Sequence, residues 1–158
     1  MARTAMTRAK KGPQKDTAPE AMLAPVLRDV IKKGNVDPSK IEEICIGNVL
    51  QPGAGSTSSR MAQFLADIPE EVPLQVVNRQ CSSGLQAVMD IANQISSGAI
   101  DVGMGGGVES MSMFAMTNMV DPGAVSDLVF EDEKAQKCLM PMGITSENVA
   151  EKYGITRK

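Results

Sequence analysis

The pattern of apolar and polar positions changes period around residue 81. Leu74, Val76 and Val77 form a short β-prone segment before this point. After it, apolar residues recur at spacings of three and four, which predicts an amphipathic helix with one buried stripe. The period changes at Cys81, so the sequence predicts a thiol at the start of a helix. The stripe consists of Leu85, Val88, Met89, Ala92 and Ile95.

Two serines and a glycine follow Cys81 in the predicted first turn. The hydroxyls of Ser82 and Ser83 are expected to cap the helix, and Gly84 allows another backbone or a ligand to come close. The positive end of a helix stabilises a thiolate, and its N–H groups can hold the oxyanion that forms when the thiolate attacks a carbonyl. An acyl carrier is therefore plausible at Cys81, and a buried cysteine that packs as a small hydrophobe is the alternative.

The alternation of helical and β-prone segments predicts an α/β protein with a parallel sheet covered by helices. Cys45 lies in an apolar run and is predicted to be a core residue. A capping box over residues 17–20 is expected to open the first helix, although Pro25 conflicts with its period. The other predicted segments are a strand over 44–50, a helix from 58 to 65 and a strand over 100–107.

Composition indicates an ordinary globular chain. Its 158 residues, 42% of them hydrophobic, can bury one domain core, and 16 basic against 19 acidic residues give no reason to expect nucleic acid or a membrane as partner. Three cysteines without CxxC spacing indicate reduced thiols, with neither a disulfide framework nor a metal site. The loop over 52–56 lacks the spacing of a phosphate-binding motif.

Four segments resemble, in order, the thiolase family in its 3-ketoacyl-CoA thiolase (acetyl-CoA C-acyltransferase) branch, and most closely the peroxisomal type. The likeness extends over nearly the whole chain. It implies that Cys81 is the acyl-thioester nucleophile and that its backbone N–H contributes to an oxyanion hole. The segments are GNVLQPG at 47–53, NRQCSSGLQA at 78–87, GGVESMS at 106–112 and PMGITSENVA at 141–150.

This resemblance implies the N-terminal half of a layered thiolase fold, with a mixed sheet covered by helices. Residues 1–110 would form an incomplete core whose first strand is largely missing, and 111–158 would begin the inserted loop domain that binds coenzyme A. Met142 matches the methionine that lines the substrate pocket in similar enzymes, with core packing as the alternative. Pro141 stands where the biosynthetic type commonly has histidine, which favours the degradative branch. The coenzyme A-binding residues are not identified.

The activity that the resemblance implies is thiolytic cleavage of 3-oxoacyl-CoA to acetyl-CoA and a shortened acyl-CoA in fatty-acid β-oxidation. Coenzyme A would be a substrate and no cofactor is expected. The implied assembly is a homodimer or higher oligomer. The implied compartment is the peroxisome, with mitochondrion or cytoplasm as alternatives, and no targeting signal is visible in this chain.

The sequence contains no histidine. Thiolases carry a catalytic histidine and a second cysteine in their C-terminal half, so we expect this chain to be an N-terminal portion without thiolase turnover of its own. Three alternatives stay open: a non-catalytic fragment that dimerises with an intact thiolase through its edge strand, a ketoacyl-synthase-like condensing enzyme, and a redox-regulated thiol protein.

Two charged residues have open roles. Glu109 is either solvated or hydrogen-bonded, and Arg60 either supports an interface or the site or is solvated.

Overall fold

The structure is a computed structural model that describes the backbone of residues 1–158 and the side chains of all of them except 118 and 122. The chain divides into two compact units, Met1–Met116 and Thr117–Lys158. The first unit contains α1 (Pro19–Gly34), β1 (Glu43–Gly47), α2 (Ser56–Leu65), β2 (Leu74–Val77), α3 (Ser83–Ser96) and β3 (Gly103–Gly107). The second unit contains α4 (Leu128–Glu131), α5 (Glu133–Lys137) and α6 (Met142–Tyr153).

The strands form a sheet in the order β2-β1-β3, and both pairings are parallel. Gly47 at the end of β1 lies opposite Val77 in β2 and Gly107 in β3. The three carboxyl ends therefore meet at one edge, and the predicted α/β class is confirmed. An antiparallel strand that would make the sheet mixed is not present in the described backbone.

Alternate residues of β1 face two different cores. Ile44 and Ile46 pack with buried residues of α1 and α2 in the larger core, while Cys45 packs with Ala87 and Ile91 of α3. Cys45 is 0% exposed, which confirms its predicted place in the core. Burial, with smaller contributions from the carboxylates of Asp90 and Glu43, raises the pKa of the Cys45 thiol to about 11.

Helix α3 does not bury the stripe that its sequence predicts. Leu85 is 65% exposed and Val88 is 47% exposed, and the other three stripe residues are exposed as well. The predicted buried stripe is therefore wrong, although the predicted helix is confirmed. The residues of α3 that are buried are Ser83, Ala87 and Ile91.

Close backbone packing explains why small residues of α3 face the sheet. A β-carbon built on Gly105 would lie 2.8 Å from the Cα of Val88. Real β-carbons essentially never approach so closely, so the glycine allows the helix backbone to lie almost against β3. Large side chains have no room at this contact, and the apolar face of α3 points away from the sheet.

The first two helices differ from their predicted starts. Ala18 occupies the N-cap of α1 without a side-chain cap, so the predicted capping box is wrong, and Pro25 lies inside an uninterrupted helix. Helix α2 begins two residues earlier than predicted.

Arg60 is not simply solvated, because its guanidinium donates to the carbonyl oxygens of Val72 at 2.7 Å and Glu70 at 2.6 Å. It thereby holds the segment that leads into β2.

The second unit is built from short helices. Asp132 caps α5 by accepting a hydrogen bond from the Ala135 N–H at 2.7 Å. Helix α6 ends at a left-handed Gly154 with φ of 65°. Among the helices whose residues the structure describes, none is long and apolar enough to cross a membrane.

Candidate active site

Cys81 lies in the turn between the end of β2 and the start of α3, and its side chain is exposed. Gln80, directly before it, adopts the left-handed conformation with φ of 50°, which is uncommon for a residue with a side chain. The Ser82 N–H donates to the Arg79 carbonyl at 3.1 Å and the Ser83 N–H to the Gln80 carbonyl at 3.0 Å. The chain thus reverses sharply and presents Cys81 at the mouth of the helix, where the sequence predicts it.

The serine hydroxyls do not cap α3. Ser82 stands at the N-cap but makes no side-chain cap bond. The Ser83 hydroxyl instead accepts from the Arg79 N–H at 2.9 Å and donates to the Gln80 carbonyl at 2.6 Å. The predicted caps are therefore wrong, because Ser83 closes the turn around Cys81 rather than the helix. No side chain accepts from the N–H groups of the first helical turn, and of these the Ser83 N–H is bonded to the Gln80 carbonyl.

Gly47 and Gly107 bring the strand ends directly under this helix start. A β-carbon on Gly47 would lie 2.5 Å from the Gly84 nitrogen, and one on Gly107 would lie 3.2 Å from the Gly84 Cα. A β-carbon on Gly84 itself would meet nothing within 4 Å. The first turn of α3 therefore rests on the sheet on one side and has open space beside Gly84 on the other.

Glu109 follows β3 and ties the ends of β3 and β1 together. Its carboxylate accepts hydrogen bonds from Asn48 Nδ2 at 3.1 Å, the Val49 N–H at 2.9 Å and the Leu50 N–H at 3.4 Å. The two possibilities that the sequence leaves open are thus resolved in favour of a hydrogen-bonded carboxylate. Three donors on one carboxylate fix the loop that follows β1.

Two asparagines that the sequence interpretation gave no role belong to the same edge. Asn48 is 1% exposed, and its Nδ2 also donates to the Val108 carbonyl at 2.6 Å. Asn78 Nδ2 donates to the Val49 carbonyl at 3.2 Å, while its Oδ1 accepts from the Gln80 N–H at 3.0 Å. Asn78 could have been found from the sequence, because it directly follows a predicted β-prone run at the edge where parallel sheets place functional groups. Asn48 could not, because the predicted strand runs to residue 50, whereas β1 ends at Gly47.

The remaining predicted site residue lies in the second unit. Met142 is the first residue of α6 and is 55% exposed, and its role in a substrate pocket stays a prediction. Among the side chains described, no group of three or more His, Cys, Asp or Glu residues is arranged to hold a metal ion.

The fold and the site define an α/β domain that presents an exposed thiol at the carboxyl edge of a parallel sheet, at the uncapped start of a helix. The family described as "Thiolase, N-terminal domain" matches residues 1–158. The chain therefore belongs to the thiolase family, and the resemblance seen in the sequence is confirmed.

Known relatives agree with this assignment. The human protein named "3-ketoacyl-CoA thiolase, peroxisomal" is 56% identical over 156 residues, which are 99% of this chain and 36% of the human protein. A crystal structure of the dimeric peroxisomal thiolase of Saccharomyces cerevisiae matches with a TM-score of 0.85 and 42% identity, over 98% of this chain and 40% of the yeast chain. The chain thus spans less than half the length of these relatives.

A second yeast structure of peroxisomal 3-ketoacyl-CoA thiolase has a TM-score of 0.77 and 41% identity over 92% of this chain and 40% of its own. That yeast thiolase is described as a five-layered α-β-α-β-α structure constructed from two core domains of identical topology. The helix–sheet–helix arrangement of the first unit here, with α1 and α2 on one face and α3 on the other, fits one such set of layers.

Proposed function

We propose that this chain carries the acyl-accepting cysteine of a peroxisomal 3-ketoacyl-CoA thiolase. The observation that carries the proposal is the exposed Cys81 at the uncapped start of α3, next to open space. The names of the relatives support the substrate class and the compartment, both of which are part of the proposal. Acyl-CoA and coenzyme A are the proposed ligands, with coenzyme A as a substrate.

The proposed reaction begins when the Cys81 thiolate attacks the 3-oxo carbon of a 3-oxoacyl-CoA. A bond forms between Sγ and that carbon, and the carbonyl oxygen becomes an oxyanion that the Cys81 N–H helps to hold. The oxyanion collapses, the C2–C3 bond breaks, and its electron pair leaves with acetyl-CoA, which takes up a proton. The acyl group stays on Cys81 as a thioester until the thiol of a second coenzyme A displaces it.

Proton transfer limits what this chain can do alone. The reaction needs a base for the thiols and an acid for the departing acetyl-CoA, and the sequence contains no histidine. The family resemblance assigns these steps to a C-terminal histidine and a second cysteine. We therefore propose that the chain of 158 residues accepts an acyl group slowly but does not turn over.

Intact-mass measurement after incubation with acetyl-CoA tests this proposal. We expect one acetyl group on the wild-type chain, none on Cys81→Ala, and one on the matched variant Cys138→Ser, since Cys138 is the other exposed cysteine. Acetylation that persists in Cys81→Ala or disappears in Cys138→Ser would contradict the assignment of the nucleophile. Steady-state thiolysis by the purified chain would contradict the proposed lack of turnover.

Association without catalysis is a second candidate function, and the exposed apolar face of α3 favours it. Leu85 and Val88 are 65% and 47% exposed, which is unusual for large apolar residues on one helix face. We propose that this face supports pairing with a second copy, a different surface from the edge strand that the sequence analysis expects to pair. The resemblance implies a homodimer, and the yeast neighbour is dimeric.

Sedimentation velocity distinguishes this candidate from a purely monomeric chain. We expect concentration-dependent association that Leu85→Glu weakens. Asn93→Glu adds the same charge at another exposed position of α3 and is expected to leave association unchanged. A monomer at all concentrations would exclude pairing through α3.

A further inference from the structure

A chain of hydrogen bonds runs from Glu109 to the residue that precedes Cys81. The Glu109 carboxylate accepts from the Val49 N–H at 2.9 Å, and the Val49 carbonyl accepts from Asn78 Nδ2 at 3.2 Å. Asn78 Oδ1 then accepts from the Gln80 N–H at 3.0 Å. These bonds connect the ends of all three strands, because Val49 follows β1, Asn78 follows β2 and Glu109 follows β3.

Gln80 is the point at which this network can affect the thiol. Its φ of 50° is costly for a residue with a side chain, so neighbouring bonds must hold it there. Three bonds do so directly: its N–H donates to Asn78 Oδ1, and its carbonyl accepts from the Ser83 hydroxyl at 2.6 Å and from the Ser83 N–H at 3.0 Å. A relaxed Gln80 would rotate the following peptide and move Cys81 away from the N–H groups of the first turn of α3.

We infer that Glu109 and Asn78 are positioning residues, which act through Val49 and Gln80 to hold Cys81 at the start of α3. The relevance of this inference to acyl transfer rests on the proposed function, but the mechanical coupling does not. Glu109 makes a suitable anchor because its negative charge strengthens bonds to backbone N–H groups. Asn78 makes a suitable link because its amide can donate and accept at once.

The sheet offers a matched control at its opposite edge. The Glu42 carboxylate accepts from the N–H groups of Asp101 at 2.6 Å and Val102 at 2.9 Å, and so joins the starts of β1 and β3. Glu42→Gln and Glu109→Gln are the same chemical change, and both weaken carboxylate bonds to backbone N–H groups. Only Glu109 lies at the edge that carries Cys81.

The experiment measures the rate of Cys81 alkylation by iodoacetamide at pH 7 in a Cys138→Ser background, read by intact mass. Iodoacetamide needs no coenzyme A chemistry, so the assay is independent of the proposed function. Cys45 is 0% exposed and serves as an internal reporter, because its alkylation signals unfolding. Urea unfolding of each variant measures its stability separately.

We expect Glu109→Gln and Asn78→Ala each to slow Cys81 alkylation about 2- to 10-fold, the factor that corresponds to one net hydrogen bond. Their double variant should react no more slowly than the slower single variant, because both changes break one pathway. Independent effects would instead multiply, to as much as about 100-fold. Glu42→Gln should leave the rate unchanged even where it lowers stability by as much as Glu109→Gln does.

Three results would overturn the inference: a Glu109→Gln rate equal to that of Glu42→Gln, multiplicative effects in the double variant, or rates that simply follow stability. If iodoacetamide labels Cys45 in Glu109→Gln, that variant is unfolded. The test of the coupling then rests on Asn78→Ala alone, a change at an exposed residue. An unchanged rate in folded Asn78→Ala then refutes the coupling. If acetyl-CoA does not acetylate the wild-type chain but the iodoacetamide rates change as expected, the proposed function is refuted and this inference stands.

Discussion

Gly47 ends β1 directly beneath the first turn of α3, and Gly47→Ala tests how tightly the two elements fit. The added β-carbon would lie 2.5 Å from the Gly84 nitrogen and closer still to the Ser83 carbonyl group. These are backbone atoms, which cannot rotate aside as a side chain can. Overpacking usually costs about 1–3 kcal/mol, and we expect the upper end, about 3 kcal/mol, because the helix start itself must shift.

Gly106→Ala is the matched control for this prediction. Gly106 lies in β3 close to Gly47, but a β-carbon there would meet nothing within 4 Å. We expect its free energy of unfolding to change by less than about 0.5 kcal/mol. Urea unfolding followed by circular dichroism measures both variants, and iodoacetamide labelling of Cys81 reports whether the turn has moved. Equal stability of Gly47→Ala and Gly106→Ala would refute the close packing.

Three further predictions concern the core and one exposed carboxylate. Ile91→Ala should lower the free energy of unfolding by about 2–5 kcal/mol and Leu85→Ala by less than about 0.5 kcal/mol, and equal effects in urea unfolding would contradict the observed orientation of α3. Cys45 should react with an aromatic disulfide reagent only in urea, whereas the two exposed cysteines react in the native chain; native reaction of all three would contradict its burial. The pKa of Glu42 lies below its ordinary value of 4.5, chiefly because of the Val102 N–H, so its contribution to stability is present above that value and is lost as the pH falls through the lowered pKa. Glu42→Gln should therefore destabilise the chain at pH 7 and cease to do so in strong acid, and a difference that is constant with pH would argue against the bond.

The sequence predicts where α3 lies along the chain but not which side of it is covered. A period of three to four residues identifies a helix and its apolar stripe, and the usual assumption is that the stripe faces the nearest sheet. Here β3 contains glycines where it meets α3, so the helix backbone lies close to the strand. Ala87 and Ile91 are buried at this contact, while Leu85 and Met89 face outward. Burial depends on the volume that the partner leaves free, and the periodicity of one segment does not contain that information.

The sequence likewise predicts the position of the candidate nucleophile but not the hydrogen bonds that surround it. Cys81 stands out because a change of period is visible locally and because its surrounding motif resembles a known family. The bond between Glu109 and Asn48 joins residues that are 61 positions apart, and the bond between Asn78 and Val49 spans 29 positions. Both depend on the strand order β2-β1-β3, which places β1 between two strands that follow it in sequence. Neither pairing can be read from local periods.

The way α3 is attached links stability to the position of the thiol. The apolar core beneath α3 is small, with Cys45, Ala87 and Ile91 as its buried members, so area burial holds the helix less than it holds α1 and α2. Contact between backbones at Gly47 and Gly105 supplies the rest of the fit. Because Gly47 touches the same turn that follows Cys81, a change that loosens the helix must also displace the thiol. Stability and thiol reactivity should therefore fall together in Gly47→Ala, whereas in Asn78→Ala reactivity should fall while stability is nearly retained.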